Sequence, residues 1–133
     1  MSNASFVLDA SALLALLHLE RGCEEVDRVL SRHDTDVFMC AINYAEVLSK
    51  TVARGKPPDV VMHEIHALGI RIMDFDSSMA EEAGIMKPMV AAHGLSLGDC
   101  ACLILSRRLD ATALTADRAW GNLKNSFRMT LIR

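Results

Sequence analysis

The hexapeptide Phe6-Val7-Leu8-Asp9-Ala10-Ser11 contains the transition that organises this chain, because a short apolar run ends at a carboxylate and a helical pattern begins. The same alternation continues to the C-terminus. Further apolar runs predict strands at 37–40, 70–73, 112–114 and 129–132, and helical patterns lie at 10–18, 22–31, 41–54, 59–68, 77–93 and 99–109, with Pro88 expected to interrupt its helix. Short, continuously apolar strands separated by helices predict a parallel sheet covered by helices on both faces.

The composition predicts one folded domain over residues 1–133, since 51% of the residues are hydrophobic and 23% are charged. We expect residues 1–4 to lie outside the fold, either disordered or as an expression remnant. No apolar run approaches the roughly 20 residues of a membrane span, and no signal-peptide pattern is present. The four cysteines form no Cys-x-x-Cys pair, which predicts reduced thiols in a cytoplasmic protein.

The net charge is −3, from 14 basic and 17 acidic residues. This balance argues against a protein that binds nucleic acid through bulk positive charge. It leaves open an enzyme that acts on nucleic acid with the help of metal ions, because bound cations reverse the local field.

Two carboxylates follow predicted strands. Asp9 comes directly after the first strand, and Asp117 lies just beyond the fourth, in Leu114-Thr115-Ala116-Asp117. In a parallel sheet chemistry occurs beyond the carboxyl ends of the strands, so both acids are candidate site residues. Each has a structural alternative, because Asp9 would also cap the following helix and Asp117 a turn.

Two further acids lie on predicted helices. Glu46 is expected to project from within an apolar face, where an unpaired carboxylate costs several kcal/mol; a salt bridge is the alternative. That face is formed by Ile42, Ala45, Ser49, Val52 and Ala53. Asp99 is expected to open a helix that is apolar on every side from 100 to 105 and is therefore buried. Helix capping is the alternative for Asp99, with Ser96 and Gly98 in a tight loop upstream.

A convergence of these four acids would require cations, because neighbouring like charges raise each other's pKa. Oxygen ligands favour hard divalent ions, so Mg²⁺ or Mn²⁺ is the expected cofactor. A metal ion held by carboxylates lowers the pKa of a bound water and can direct that water at phosphorus.

The segments around the four acids resemble the PIN-domain family of metal-dependent ribonucleases, in particular the short toxins of VapC type. The matching stretches are Val7-Leu8-Asp9-Ala10-Ser11-Ala12-Leu13, Asn43-Tyr44-Ala45-Glu46-Val47, Leu97-Gly98-Asp99-Cys100 and Leu114-Thr115-Ala116-Asp117-Arg118. The resemblance implies a three-layer α/β/α sandwich around a five-stranded parallel sheet. It also implies that Asp9, Glu46, Asp99 and Asp117 are the catalytic and metal-binding acids, supported by the polar residues Ser11, Asn43 and Thr115.

The function implied by this resemblance is hydrolysis of RNA phosphodiester bonds by a Mg²⁺- or Mn²⁺-dependent endoribonuclease that leaves a 5′-phosphate. Family members of this length act as toxins, form homodimers and are silenced by a cognate antitoxin protein. Two alternatives stay open: a non-catalytic α/β interaction module whose acids are caps and salt bridges, and a PIN nuclease of RNA maturation without a toxin role.

Candidate RNA contacts are basic residues near these acids: Lys50, Arg54, Lys56 and Arg118. Solvated surface charge is the alternative for each of them. Trp120 would be able to stack on a base, although packing beneath the adjoining loop is favoured.

Overall fold

The computed structural model describes residues 3–133, so the expectation for Met1 and Ser2 lies outside the described residues. The strands are β1 (Ala4–Leu8), β2 (Thr35–Cys40), β3 (Arg71–Met73), β4 (Thr112–Thr115) and β5 (Met129–Leu131). The α-helices are α1 (Ala10–Leu17), α2 (Cys23–Ser31), α3 (Ala41–Ala53), α4 (Pro58–Ala67), α5 (Ser77–Val90) and α6 (Leu97–Arg108), and two 3-10 helices span Ala91–His93 and Arg118–Leu123.

The five strands form one sheet in the order β3-β2-β1-β4-β5. Every neighbouring pair is parallel. The chain builds outward from β1 to β3, then returns to the other side of β1 with β4. The strand order therefore reverses between β1 and β4, and the crevice beyond the carboxyl ends of such a pair is where open α/β sheets bind ligands.

Helices cover both faces of this sheet. Val7 and Leu8 are adjacent in β1 and point to opposite faces, and each belongs to a different hydrophobic core. Helices α1 to α4 pack on the Leu8 side, while α5, α6 and the buried Trp120 pack on the Val7 side. The predicted three-layer α/β/α sandwich with a five-stranded parallel sheet is confirmed.

Several ends of elements differ from the sequence-based prediction by one to three residues, and three of the differences have a physical reason. Ala4, expected outside the fold, lies in β1, because backbone pairing needs no apolar side chain and its N–H reaches the Asp34 carbonyl at 3.1 Å. Helix α6 begins before Asp99, at Leu97. Helix α5 continues through Pro88 and ends two residues later at Val90, where the missing N–H disturbs only the last turn.

The buried face of α3 also differs from the prediction. Its buried residues are Asn43, Val47 and Thr51, whereas four of the five residues predicted to form the apolar face are exposed. Thr51 tolerates burial because its hydroxyl donates to the Val47 carbonyl at 3.0 Å. Glu46 is therefore half-buried at the edge of the buried face, and within residues 3–133 it forms no ion pair.

Within residues 3–133 no single helix is long and apolar enough to cross a membrane. Among the described residues, one pair of helices, Ser77–His93 and Leu97–Arg108, has the length and apolar composition of a span when the two are counted together, and a bend of 116° separates them. The four cysteines carry free thiols, and three of them are buried.

Candidate active site

Asp9 lies at the point where β1 ends and α1 begins. It is the N-cap of α1, and its Oδ1 accepts the Ala12 N–H at 2.8 Å. The Ser11 hydroxyl donates to the same carboxylate at 2.7 Å, and the Thr115 hydroxyl donates to Oδ2 at 2.6 Å. The side chain is held by three donors although only 3% of the residue is exposed.

Thr115 and Ser11 connect Asp9 to the chain that leaves β4. The Thr115 oxygen accepts the Asp117 N–H at 3.0 Å, and the Ser11 oxygen accepts the Ala116 N–H at 2.9 Å. Each hydroxyl thus donates its proton to Asp9 and accepts a backbone N–H from the segment that carries Asp117. This arrangement fixes the two acids on either side of the crevice between β1 and β4.

Asp117 caps the 3-10 helix Arg118–Leu123, because its Oδ1 accepts the Ala119 N–H at 3.0 Å. Asp99 occupies the third position of α6 in a capping box. Its Oδ2 accepts the Ser96 N–H at 2.8 Å, while the Ser96 hydroxyl accepts the Asp99 N–H at 3.1 Å. The predicted loop around Ser96 and Gly98 is wrong: the Ser-x-x-Asp spacing makes Ser96 the cap and places Gly98 in the helix.

The electrostatics of Asp9 and Asp99 indicate that the acids lie near one another. Burial raises the pKa of Asp9 from 3.8 to about 6 against the effect of its three hydrogen bonds, and the charge of Asp99 raises it further. Burial also raises the pKa of Asp99, and the charge of Asp117 adds to that rise. The charge of Asp99 therefore raises the pKa of Asp9, and the charge of Asp117 raises the pKa of Asp99.

Glu46 reaches the same region from α3. Its Oε1 accepts an N–H from the Asn43 side chain at 2.9 Å, and the same Asn43 nitrogen donates to the Gly98 carbonyl at 3.0 Å. A methyl group on Gly98 would lie only 2.5 Å from Glu46 Oε1. The carboxylate of Glu46 therefore lies against the residue that precedes Asp99.

Cys102 lies behind these acids in the buried helix α6. Burial raises the pKa of this thiol well above 9.0, and the charges of Asp9, Asp99 and Glu46 contribute to the rise. The charges of three acids on three different helices thus act on one buried thiol, which supports their placement around a common point.

The four acids are of the ligand type that a hard cation prefers, but their side chains are not close enough together to bind one without moving. Within residues 3–133 no three His, Cys, Asp or Glu side chains stand close enough to hold a metal ion as they are. The donor set nevertheless consists of carboxylate oxygens, which suit Mg²⁺ or Mn²⁺. Two of the acids have raised pKa values that a bound cation would lower, and the space that a Cβ of residue 98 would fill is taken by the Glu46 carboxylate.

A groove of about 440 Å³ opens beside Ser11 and carries positive charge. Its lining residues are Ser11, Leu14, His18, Glu20, Lys50, Ala53, Arg54 and Arg133. Two of the four predicted RNA contacts, Lys50 and Arg54, line the groove. Lys50 also lowers the pKa of Asp99 through its charge, which places this lysine between the groove and the acids.

The other predicted contacts lie elsewhere. Lys56 does not line the groove, although its charge helps to lower the pKa of His18. Arg118 is exposed at the start of the 3-10 helix that Asp117 caps. Trp120 is fully buried, so it packs in the core rather than presenting a face to a base.

Sequence reasoning missed His18 and Arg133 as groove residues. The Arg54 guanidinium donates to His18 Nδ1 at 2.6 Å, and burial, together with the Arg54 and Lys56 charges, lowers the pKa of His18. Arg133 donates to the Arg21 carbonyl at 3.0 Å. Neither residue carries a local signal, because the end of the chain and the end of α1 meet only in the folded protein.

The protein is a parallel α/β/α sandwich with Asp9 and Asp117 at the point where the strand order reverses. A sequence model described as the PIN domain matches residues 6–125, so the chain belongs to the PIN-domain family, as the resemblance implied. No curated protein gives a significant match.

Solved structures with the same fold cover nearly the whole chain. VapBC2 from Rickettsia felis, bound to a DNA fragment from its promoter, is 15% identical with a TM-score of 0.68, covering 96% of this chain and 98% of its own. FitAcB from Neisseria gonorrhoeae is 20% identical with a TM-score of 0.68 and coverages of 96% and 97%. VapBC-5 from Mycobacterium tuberculosis is 19% identical with a TM-score of 0.60, covering 98% of both chains. At these identities the likeness concerns the fold.

Proposed function

We propose that this PIN-domain protein is a Mg²⁺- or Mn²⁺-dependent endoribonuclease that acts as the toxin of a toxin–antitoxin pair. The observation that carries the proposal is the link between Asp9 and Asp117 through Thr115 at the switch point of the sheet. Asp99 acts electrostatically on the same carboxylates. Asp9 is 3% exposed and, within residues 3–133, forms no ion pair. A buried carboxylate next to like charges is costly for a protein unless it serves a ligand.

Asp9, Glu46, Asp99 and Asp117 are the residues that would hold the metal. When bound, a divalent cation supplies a water of lowered pKa and neutralises negative charge on the phosphate. Ser11 and Thr115 keep the Asp9 carboxylate fixed, and they favour its ionised form by donating two hydrogen bonds.

The groove beside Ser11 supports RNA as the substrate. Lys50 and Arg54 line it on the α3 side, while the positive charge of Arg133 is paired with Glu20 of the same groove at 3.8 Å. Lys50 and Arg54 would neutralise backbone phosphates next to the acids, where the negative site alone would repel them. Among the described residues that line this groove none is Phe, Tyr or Trp, so contacts to the RNA backbone rather than stacking on large aromatic rings would hold the strand there.

The toxin role rests on the related folds. Solved relatives are described as a toxin-antitoxin complex from Klebsiella pneumoniae and as DNA-bound VapBC from Salmonella typhimurium. We propose a cognate antitoxin for this chain on the same grounds, and a homodimer because the resemblance to short PIN-domain toxins implies one. Growth arrest on expression, relieved by co-expression of a neighbouring gene product, is the expected result; a toxicity that no neighbouring product relieves would contradict the antitoxin.

Cleavage of RNA by the purified protein tests the enzymatic part. Wild type should cut single-stranded RNA with Mn²⁺ or Mg²⁺ and stop in EDTA, and Asp9→Asn should lose orders of magnitude in rate. Asp76→Asn is the matched control, because Asp76 caps α5 in the same way that Asp9 caps α1. Cleavage that survives EDTA and Asp9→Asn would contradict the proposal.

One observation favours a second candidate, a non-catalytic interaction module. Asp9 and Asp117 each cap a helix, Asp99 completes the capping box of α6, and within residues 3–133 no group of three His, Cys, Asp or Glu side chains could hold a metal ion. In that case Asp→Asn substitutions would be nearly neutral, because Asn caps helices about as well as Asp. The same cleavage assay separates the two candidates.

A further inference from the structure

Gly98 faces the carboxylate of Glu46 without any space for a side chain. A Cβ at this position would lie 2.5 Å from Glu46 Oε1, 3.1 Å from Cδ and 3.3 Å from Oε2. All three contacts are with the far end of one flexible side chain and none is with backbone. An added methyl group would therefore displace the Glu46 carboxylate while the fold stays as it is.

Asn43 connects the same two residues from the other side. Its side-chain nitrogen donates to Glu46 Oε1 at 2.9 Å and to the Gly98 carbonyl at 3.0 Å. Asn43 is 1% exposed, so this amide is fixed by the surrounding core. The Glu46 carboxylate thus accepts a hydrogen bond from Asn43 of α3 and lies against the backbone of Gly98 in α6.

We propose that Gly98 is a positioning residue for Glu46. Its missing side chain lets the Glu46 carboxylate lie at the first turn of α6, beside Asp99, and the shared Asn43 amide holds it there. The inference rests on the proposed function insofar as this position serves a metal ion. Any side chain at 98 would separate Glu46 from Asn43 and move one of the four acids away from the other three.

Gly84 offers a matched control because it also lies inside a helix, and a Cβ there would meet no atom within 4 Å. Alanine is a better helix former than glycine. Gly84→Ala should therefore raise the melting temperature and leave the site unchanged. Gly98→Ala also replaces a helical glycine by alanine, but its added methyl group must displace the Glu46 carboxylate. The comparison of the two substitutions measures the effect of that displacement.

The first arm of the test uses no metal. Glu46→Ala removes the atoms that an added methyl group at position 98 would meet. In EDTA, the change in melting temperature caused by Gly98→Ala should therefore be a few degrees more favourable in a Glu46→Ala protein than in wild type. In NMR spectra the Asn43 side-chain amide should shift in Gly98→Ala but not in Gly84→Ala. Equal effects of Gly98→Ala in the two backgrounds, with an unmoved Asn43 amide, would overturn the proposal.

The second arm measures the rise in melting temperature on adding Mn²⁺. We expect Gly84→Ala to respond as wild type does, and Gly98→Ala to lose most of the response although it stays folded. A full Mn²⁺ response in Gly98→Ala would overturn the role of Gly98 at the metal. A wild type that ignores Mn²⁺ would overturn that role together with the proposed metal site, while the metal-free arm would still decide whether Gly98 positions Glu46.

Discussion

Thr115 donates its hydroxyl proton to Oδ2 of Asp9 at 2.6 Å, although the two residues are 106 positions apart in sequence. The hydroxyl oxygen of Thr115 also accepts the N–H of Asp117 at 3.0 Å. A single hydroxyl therefore joins the acids that follow the neighbouring strands β1 and β4. The relative position of these acids depends on Thr115 as much as on the strands themselves.

Removal of this hydroxyl should weaken the site and the fold together. In Thr115→Val the buried Asp9 loses one of its three donors, so we expect a loss of about 1–3 kcal/mol in unfolding free energy at neutral pH. The pKa of Asp9 should rise beyond about 6, because a hydrogen bond that favours the ionised form is gone. Urea denaturation and NMR titration measure both effects.

Thr51→Val is the control for that substitution. Thr51 is equally buried, but its hydroxyl donates only to helix carbonyls of Val47 and Leu48. It should leave the Asp9 titration unchanged. A Thr115→Val protein that keeps the wild-type titration of Asp9 would show that the hydrogen bond does not control this carboxylate.

The stability of the metal-free protein should fall with rising pH because of Asp9. Its pKa is about 6 in the folded protein against 3.8 for the ordinary group, so the folded state binds the proton more tightly. This contribution is complete below the unfolded value and disappears as pH rises through the folded one. The integrated loss is roughly 3 kcal/mol.

Asp9→Asn removes this dependence, since an amide does not titrate in this range. In EDTA, the unfolding free energy of wild type relative to Asp9→Asn should decrease between pH 4 and pH 7. Denaturant unfolding at several pH values measures the difference. A constant difference, or one that increases with pH, would be incompatible with the raised pKa of Asp9.

Lys50 and Arg54 should contribute to RNA affinity through phosphates. In EDTA, where cleavage is blocked, each Gln substitution should weaken binding of a short single-stranded RNA and lower the salt dependence by about 0.7 per lost contact. Arg71→Gln is the control, because Arg71 lies on the edge strand β3 and lines a different pocket from Lys50 and Arg54. Equal salt dependence in Arg54→Gln and Arg71→Gln would exclude the groove as the path of the strand.

The sheet could be predicted from the sequence because each strand contains a short apolar stretch between helical segments. The capping box at Ser96 was also readable, since Ser-x-x-Asp is a local signal. The buried face of α3 was not, because it includes Asn43 and Thr51. The Asn43 amide nitrogen and the Thr51 hydroxyl are satisfied by hydrogen bonds that exist only in the folded helix and its neighbours.

Two of the acids at the site could be placed from the sequence, whereas the position of Glu46 could not. Asp9 and Asp117 follow strands, so their place at the carboxyl edge was predictable from topology. The contact between Glu46 and Gly98 depends on how closely α3 and α6 approach, which no spacing within either helix encodes. The groove with His18 and Arg133 likewise joins distant parts of the chain.

The central claim is that four acids form one metal site, and melting curves in EDTA and in Mn²⁺ test it most directly. A ligand at a hundred times its Kd stabilises the folded state by about 2.7 kcal/mol. Wild type and the capping control Asp76→Asn should therefore melt several degrees higher in Mn²⁺, whereas Asp99→Asn should melt no lower than wild type in EDTA and gain much less from the metal. Identical metal responses in wild type and Asp99→Asn would contradict the account.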